Sequence, residues 1–226
     1  KNKKFNGSLC FLLTADEEGD ADFGTKMVVN WLKKKRKKID FCIVGEPTNP
    51  EKLGDMVKIG RRGSINGVIE VIGKQGHVAY PELSINPINF LIKICNELQR
   101  PFDKGSKRFE PTKVSITSVD VGNQVTNLVP SRAYIKFNVR FNDKFTSKKI
   151  IEEIKKRIEK TRIKYNLKTK VSGESFLNYS EKFTEILIKC IRNRTKRNTK
   201  LSTSGGTSDA RFITKLCPVI EFGIVG

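Results

Sequence analysis

Histidine is almost absent from this chain: His77 stands alone among 226 residues. One imidazole cannot supply the three or four donors that a zinc centre normally draws from its protein. Acids are also short, 24 against 44 lysines and arginines, for a net charge of +20. Long apolar runs are missing; none reaches the ~18 residues of a membrane helix, so no membrane span is expected. The five cysteines (Cys10, Cys42, Cys95, Cys190, Cys217) occur singly, with no CxxC pair. That spacing excludes a disulfide framework and predicts buried free thiols in a reducing compartment. The opening "KNKKFNGSLC" has a basic start but no apolar core or small-residue cleavage site, so no signal peptide is read. Internal repeats and low-complexity linkers are absent as well. Hydrophobic residues make up 37% of the chain, enough for a sizeable core in one large or two modest domains.

The positive charge raises a nucleic-acid reading. Its cations, however, are spread over "KKKRKK" (33–38), "SKKIIEEIKKRIEKTRIK" and "RNRTKRNTK". The middle stretch interleaves Glu with Lys on an amphipathic helix, the pattern of a solvated face. It carries no interleaved aromatics on which bases could stack. A compositional bias toward Lys, Asn and Ile accounts for the charge, and no nucleic-acid partner is expected. A basic nucleic-acid binder is the rival from another class, and it would show salt-sensitive affinity for DNA or RNA.

"SLCFLLTA" (8–15) reads as a strand buried on both faces, "FGTKMVVNWLKKKRKK" (23–38) as a helix with a basic C-terminal end, and "DFCIVGEP" (40–47) as a second buried strand. Strand, helix and strand with continuous apolar runs predict a parallel α/β sheet. From about Ile59 the pattern changes. A half-buried strand (65–73), a helix (85–99), strands at 112–122 and 131–141, a helix over 146–164 and a strand at 167–173 give the order β-α-β-β-α-β, a ferredoxin-like unit. The helix "EKFTEILIKCIRNRT" (181–195) and the strand "CPVIEFG" (217–223) return to the first pattern. The expected organisation is a larger α/β domain in two parts, 1–62 and 174–226, interrupted by a small domain at 63–173.

In "LCFLLTADEEGD" a greasy strand runs into Asp16, Glu17, Glu18 and Asp20. Ligands of open α/β sheets sit beyond the carboxyl ends of the strands. Glu17 and Glu18 follow the first strand and Glu46 the second, so parallel strands would bring three carboxylates to one edge. Such a cluster repels itself unless a cation neutralises it. One of the adjacent glutamates could ligate while the other acts as base toward water. The plain alternative is a solvated turn that caps the next helix. His77 lies in the Gly-flanked loop "GKQGHVAYP", where Tyr80 and Pro81 fix the chain; it is either an ordinary loop residue or a polariser of a carbonyl. "SGGTSD" (204–209) presents backbone N–H groups to an anion, or is simply a helix cap by Ser208 or Asp209.

Together "LLTADEEGD", "CIVGEPT", "GRRGSINGVIEVIGKQGHVAYP", "QVTNLVPS" and "STSGGTSDARFI" resemble the two-zinc amidohydrolases of the M20 peptidase family, in order and over almost the whole chain. The resemblance implies a zinc-amidohydrolase α/β catalytic domain with an inserted ferredoxin-like lid that forms a homodimer. It implies two zinc ions, with cobalt admissible at one site. Glu17 would be the general base, Glu18 a ligand of one metal and Glu46 of the other. His77 would reach the partner subunit's active site and help hold the oxyanion. Arg61, Ser64, Tyr80, Asn127, Arg140, Gly206 and Thr207 would hold the substrate's carboxylates and amide. The activity implied is hydrolysis of N-succinyl-LL-2,6-diaminopimelate to succinate and LL-2,6-diaminopimelate, in the bacterial cytoplasm. Acetylornithine deacetylase, aminoacylase and carboxypeptidase activities are the neighbouring alternatives.

The family also requires a His-x-Asp pair and a bridging Asp before "TADEEG", and a further His soon after "EFG". None is present: His77 is the sole histidine, and no Asp precedes "TADEEG". The chain is therefore expected to be an internal portion of the enzyme, lacking its first strands and last helix, and inactive alone.

Overall fold

Alternating apolar residues in "GSINGVIEVI" and "RAYIKFNVRF" commit these stretches to long strands with one buried face. The computed structural model describes residues 6–226 apart from 16 and 20, so Asp16 and Asp20 of the acidic turn lie outside the described residues. In chain order the elements are α1 (Thr25–Lys34), β1 (Cys42–Val44), β2 (Met56–Lys58), β3 (Gly60–Arg61), β4 (Gly63–Ile72), β5 (Gly76–His77), α2 (Pro87–Gln99), β6 (Lys113–Asp120), β7 (Leu128–Val129) and β8 (Arg132–Phe141). There follow α3 (Ser147–Glu159), β9 (Lys164–Gly173), β10 (Phe176–Leu177), α4 (Glu181–Thr195), β11 (Lys200–Ser202), α5 (Ala210–Ile213) and β12 (Val219–Glu221).

The central stretch has the ferredoxin-like order. Its antiparallel sheet runs β6-β8-β4-β9, with α2 and α3 on one face. Ile65, Ile69 and Val71 of β4 and Ile135, Phe137 and Val139 of β8 pack there against Leu91, Ile94 and Leu98 of α2 and Ile150, Ile154 and Ile158 of α3. Each large side chain so buried contributes about 1.5–3 kcal/mol relative to exposure. Gly67 sits mid-strand because the Phe137 ring crosses it; a Cβ there would lie 2.1 Å from the ring. Asn86 caps α2 and accepts from the Ile88 N–H at 3.0 Å, with Pro87 at the first helical position. Thr146 caps α3.

The second sheet has the order β1-β12-β2-β11 and draws on both ends of the chain. β1 and β12 are parallel, as are β2 and β11, but β12 runs antiparallel to β2. The sheet is thus mixed rather than wholly parallel. The expected strand at 8–15 also fails: those residues form no ladder, and Phe11 and Leu13 are 83% and 92% exposed. A strand exists through its backbone partners, and among the described residues none pairs with this segment. α1 stops at Lys34, short of 38, where Arg36 takes a left-handed φ of 51°. α3 ends at Glu159, earlier than expected, and β9 starts earlier, at Lys164. The cysteines are all free, but Cys10 and Cys190 are exposed rather than buried. Among the described residues no helix is long and apolar enough to cross a membrane.

The chain passes between the two sheets twice, through β3 and β10, which pair as a short antiparallel ribbon: Arg61 stands opposite Phe176 and Gly60 opposite Leu177.

Candidate active site

Parallel pairing of β1 and β12 brings their carboxyl ends side by side, with Val44 opposite Glu221. Glu46 follows β1 there, and its N–H and that of Phe222 both donate to the Val44 carbonyl, at 3.1 and 3.0 Å. Burial pushes the Glu46 carboxyl up to about 7, and the charges of Glu17, Glu221 and Asp209 push the same way against Arg61. Burial also raises Glu17; Glu18, Asp209 and a side-chain hydrogen bond from Glu18 add to the rise, while Arg211 opposes it. Glu17 therefore lies within electrostatic reach of Glu46 at the carboxyl end of β1. Glu18 is exposed beside them.

Asp209 is 6% exposed, and its Oδ1 is buried without a hydrogen-bond partner. It makes no capping bond to α5, and Ser208 is engaged elsewhere, so the simple helix-cap account of "SGGTSD" does not hold. An orphaned carboxylate oxygen facing two further carboxylates fits a divalent cation with hard oxygen donors. Among the described residues no group of three or more His, Cys, Asp or Glu closes on one point.

Beside the carboxylates stands a group of cations. Arg61 is buried and donates through Nε (2.7 Å) and Nη2 to Glu221, and through Nη1 to the Ser204 carbonyl at 3.2 Å. Arg140 lies opposite Ser64 in the β4–β8 ladder, and its Nη1 is buried with no partner. Desolvation, then Arg62 and Arg61, lower the Arg140 pKa. A desolvated guanidinium edge beside two other cations is a receptor for a carboxylate. Ser64 Oγ accepts from Asn138 at 3.2 Å. Gly206 is exposed and Thr207 partly so, at the tip of the turn that starts at Ser204.

His77, Tyr80 and Asn127 form a separate group on the β5–β7 ribbon. The Asn127 carbonyl accepts from the Val78 N–H at 3.0 Å, and the rings of His77 and Tyr80 lie 6.1 Å apart. All three residues are exposed. Hydrogen bonds and ring contacts among the described residues join them to each other and to none of the carboxylates. His77 Nδ1 accepts from the Ala79 N–H at 3.1 Å. A neutral ring so held carries its proton on Nε2, which is left as an outward donor.

Glu221 and Asp209 were not among the site residues expected from sequence. Glu221 had a signal, since a lone acid inside the apolar run "VIEF" must find a buried partner. Asp209 had none beyond its place after a glycine-rich turn.

The model of the M20 peptidase dimerisation domain matches residues 59–166. A succinyl-diaminopimelate desuccinylase of Pelagibacter ubique is 51% identical over the whole of this chain, which covers 60% of that protein. One from Wolbachia pipientis is 46% identical over 98% of the chain and 56% of its own length. The chain thus spans somewhat over half the length of these relatives. Among solved structures, aminopeptidase PepT of Bacillus cereus superposes with a TM-score of 0.69 at 18% identity, over 93% of this chain and 54% of that one. An M20 family metallo-carboxypeptidase of Sulfolobus solfataricus gives 0.67 at 15% identity, over 86% and 58%. At such identities these two show the shared fold.

Proposed function

We propose that the chain, which matches the M20 dimerisation domain over residues 59–166 and desuccinylases along its whole length, is part of an M20 enzyme hydrolysing N-succinyl-LL-2,6-diaminopimelate to succinate and LL-2,6-diaminopimelate. This would serve lysine and diaminopimelate biosynthesis in the bacterial cytoplasm. The end-to-end likeness to the desuccinylases carries the reading, and the carboxylate edge supplies its chemistry. Likeness to a metallopeptidase family implies a divalent metal, generally zinc. Two zinc ions, with cobalt accepted at one, suit the proposed reaction. Glu18 and Glu46 would hold them, with donors from outside this chain, and the orphaned Asp209 Oδ1 would lie toward the same charge. When bound, the metal polarises the amide carbonyl and makes water more acidic.

The chain's own residues do the rest. Glu17, whose carboxyl is raised by burial and its acidic neighbours, takes the proton of the attacking water and returns it to the leaving amine. His77, whose Nδ1 accepts from the Ala79 N–H, donates through Nε2 to the oxyanion. Arg140, Arg61, Ser64, Gly206 and Thr207 hold the succinyl and amino-acid carboxylates, and Tyr80 and Asn127 close over the amide. Residues 63–173 act as the lid and homodimerisation domain, and 1–62 with 174–226 belong to the catalytic domain. The full-length protein containing this chain is expected to release succinate from N-succinyl-diaminopimelate and to stop when a chelator removes its metal. Activity on N-acetylornithine or a dipeptide in its place would refute the assignment.

A further inference from the structure

Glu221 ends β12 in the second sheet, and its side chain links the β3 crossing to the glycine-rich turn. It is 1% exposed on β12 and is held on both oxygens. Oε2 accepts the Nε and Nη2 donors of Arg61; Oε1 accepts the Ser208 hydroxyl at 2.5 Å. Arg61, on the β3 crossing, in turn donates to the Ser204 carbonyl. The turn 204–209 is therefore clamped at both ends by one ion pair: at Ser204 through Arg61 and at Ser208 through Glu221. Gly205 makes the clamp possible. It takes φ +103°, and a Cβ there would lie 2.1 Å from Arg61 Nη1. Lys58 fixes the same end, donating to Ser204 Oγ at 2.8 Å.

The guanidinium has five N–H groups in a fixed fork. Glu221 takes two and the Ser204 carbonyl a third, so two remain, held in one orientation by the same contacts that hold the turn at Ser204 and Gly205. We infer that Glu221 is a positioning residue: it aims the free edge of Arg61 and the tip of the turn so that together they receive the terminal carboxylate of the substrate's acyl group. Glu221 does not touch the substrate; it selects for an acyl chain that ends in a charge. The inference rests on the proposed desuccinylase reading for the identity of that acyl group, but the clamp itself does not.

The test compares wild-type, Glu221→Gln and Ser208→Ala forms of the full-length protein, with Glu221→Asp as the conservative variant. Hydrogen–deuterium exchange of the peptide spanning 203–209 reads the clamp without reference to activity. Exchange there should rise in Glu221→Gln and Ser208→Ala, and Glu221→Asp should restore part of the protection. Kinetics then read the consequence. Losing the aim of one charge-assisted pair should raise KM for N-succinyl-diaminopimelate about tenfold in Glu221→Gln with kcat nearly unchanged. KM for the N-acetyl analogue, which lacks the terminal carboxylate, should not move. Unchanged exchange at 203–209 in both Glu221→Gln and Ser208→Ala would overturn the clamp. Equal losses on succinyl and acetyl substrates would overturn the role in acyl selection. A wild-type enzyme inactive on both substrates would refute the desuccinylase reading, and the exchange measurement would still decide the clamp.

Discussion

A glutamate held near neutrality inside a folded chain makes stability depend on pH, and Glu46 is such a residue. Burial, then Glu17 and Glu221, raise it from 4.5 to about 7. Between those values the folded state binds more protons than the unfolded state. Its stability is therefore full below about 4.5 and falls as pH rises through about 7. The carboxyl is only half-buried, so the loss is on the order of 1 kcal/mol after solvent screening. Thermal midpoints measured in metal-free buffer should decline across that window, and Glu46→Gln should flatten the decline. A slope that survives the substitution would place the titration on another group. The same desolvation and crowding make Glu46 receptive to a cation, since a bound divalent charge relieves what protonation otherwise must.

At the scale of elements, the end of α2 depends on one arginine from α3. Arg157 donates to the carbonyls of Glu97, Arg100 and Pro101 at 3.1, 2.6 and 3.2 Å, and its guanidinium lies 3.8 Å over the Phe102 ring. Helix C-termini leave orphan carbonyls, and here a buried fork satisfies those that a glycine cap would otherwise serve. Arg157→Ala should cost about 2–3 kcal/mol in urea unfolding. Arg157→Lys should recover little, because a single ammonium cannot span three carbonyls; full recovery would mean that charge alone matters. Sequence periodicity located α2, α3, β4 and β8 because their apolar residues recur at 3.6 or 2 and face one core. It missed β2 and β11, three residues each among polar neighbours, while β1 and β12, equally short, showed through their continuous apolar runs. It misplaced a strand at 8–15, since an apolar run states a demand for burial and not the presence of a neighbour. For the site, Glu46 was legible because it follows an apolar strand whose end the topology sets beside β12, whereas Glu17 and Glu18 follow a segment that forms no strand. The Arg61–Glu221 pair was not: its members lie 160 positions apart, and only the fold brings them into contact.

At the scale of the whole molecule, the site residues fall into two groups that the described contacts do not join. Glu17, Glu46, Asp209, Arg61 and Arg140 gather where the sheets meet, while His77, Tyr80 and Asn127 stand exposed on the β5–β7 ribbon. An exposed donor on a domain that matches a dimerisation model suits a site completed by a second subunit. In the proposed dimer, His77→Ala in the full-length enzyme should lower turnover by about 2.7–4 kcal/mol of barrier, the cost of one oxyanion donor. Metal content should stay constant, because His77 is not a ligand. Glu17→Gln should also remove turnover by deleting the base. Mixing the two inactive variants separates the geometries. If His77 serves the partner, each mixed dimer has one site with both defects and one with neither, so activity returns. If His77 serves its own subunit, every site in the mixture keeps one defect and activity stays absent. Subunit exchange followed by native mass spectrometry confirms that mixed dimers form, and absence of recovery in their presence would remove His77 from the partner's site.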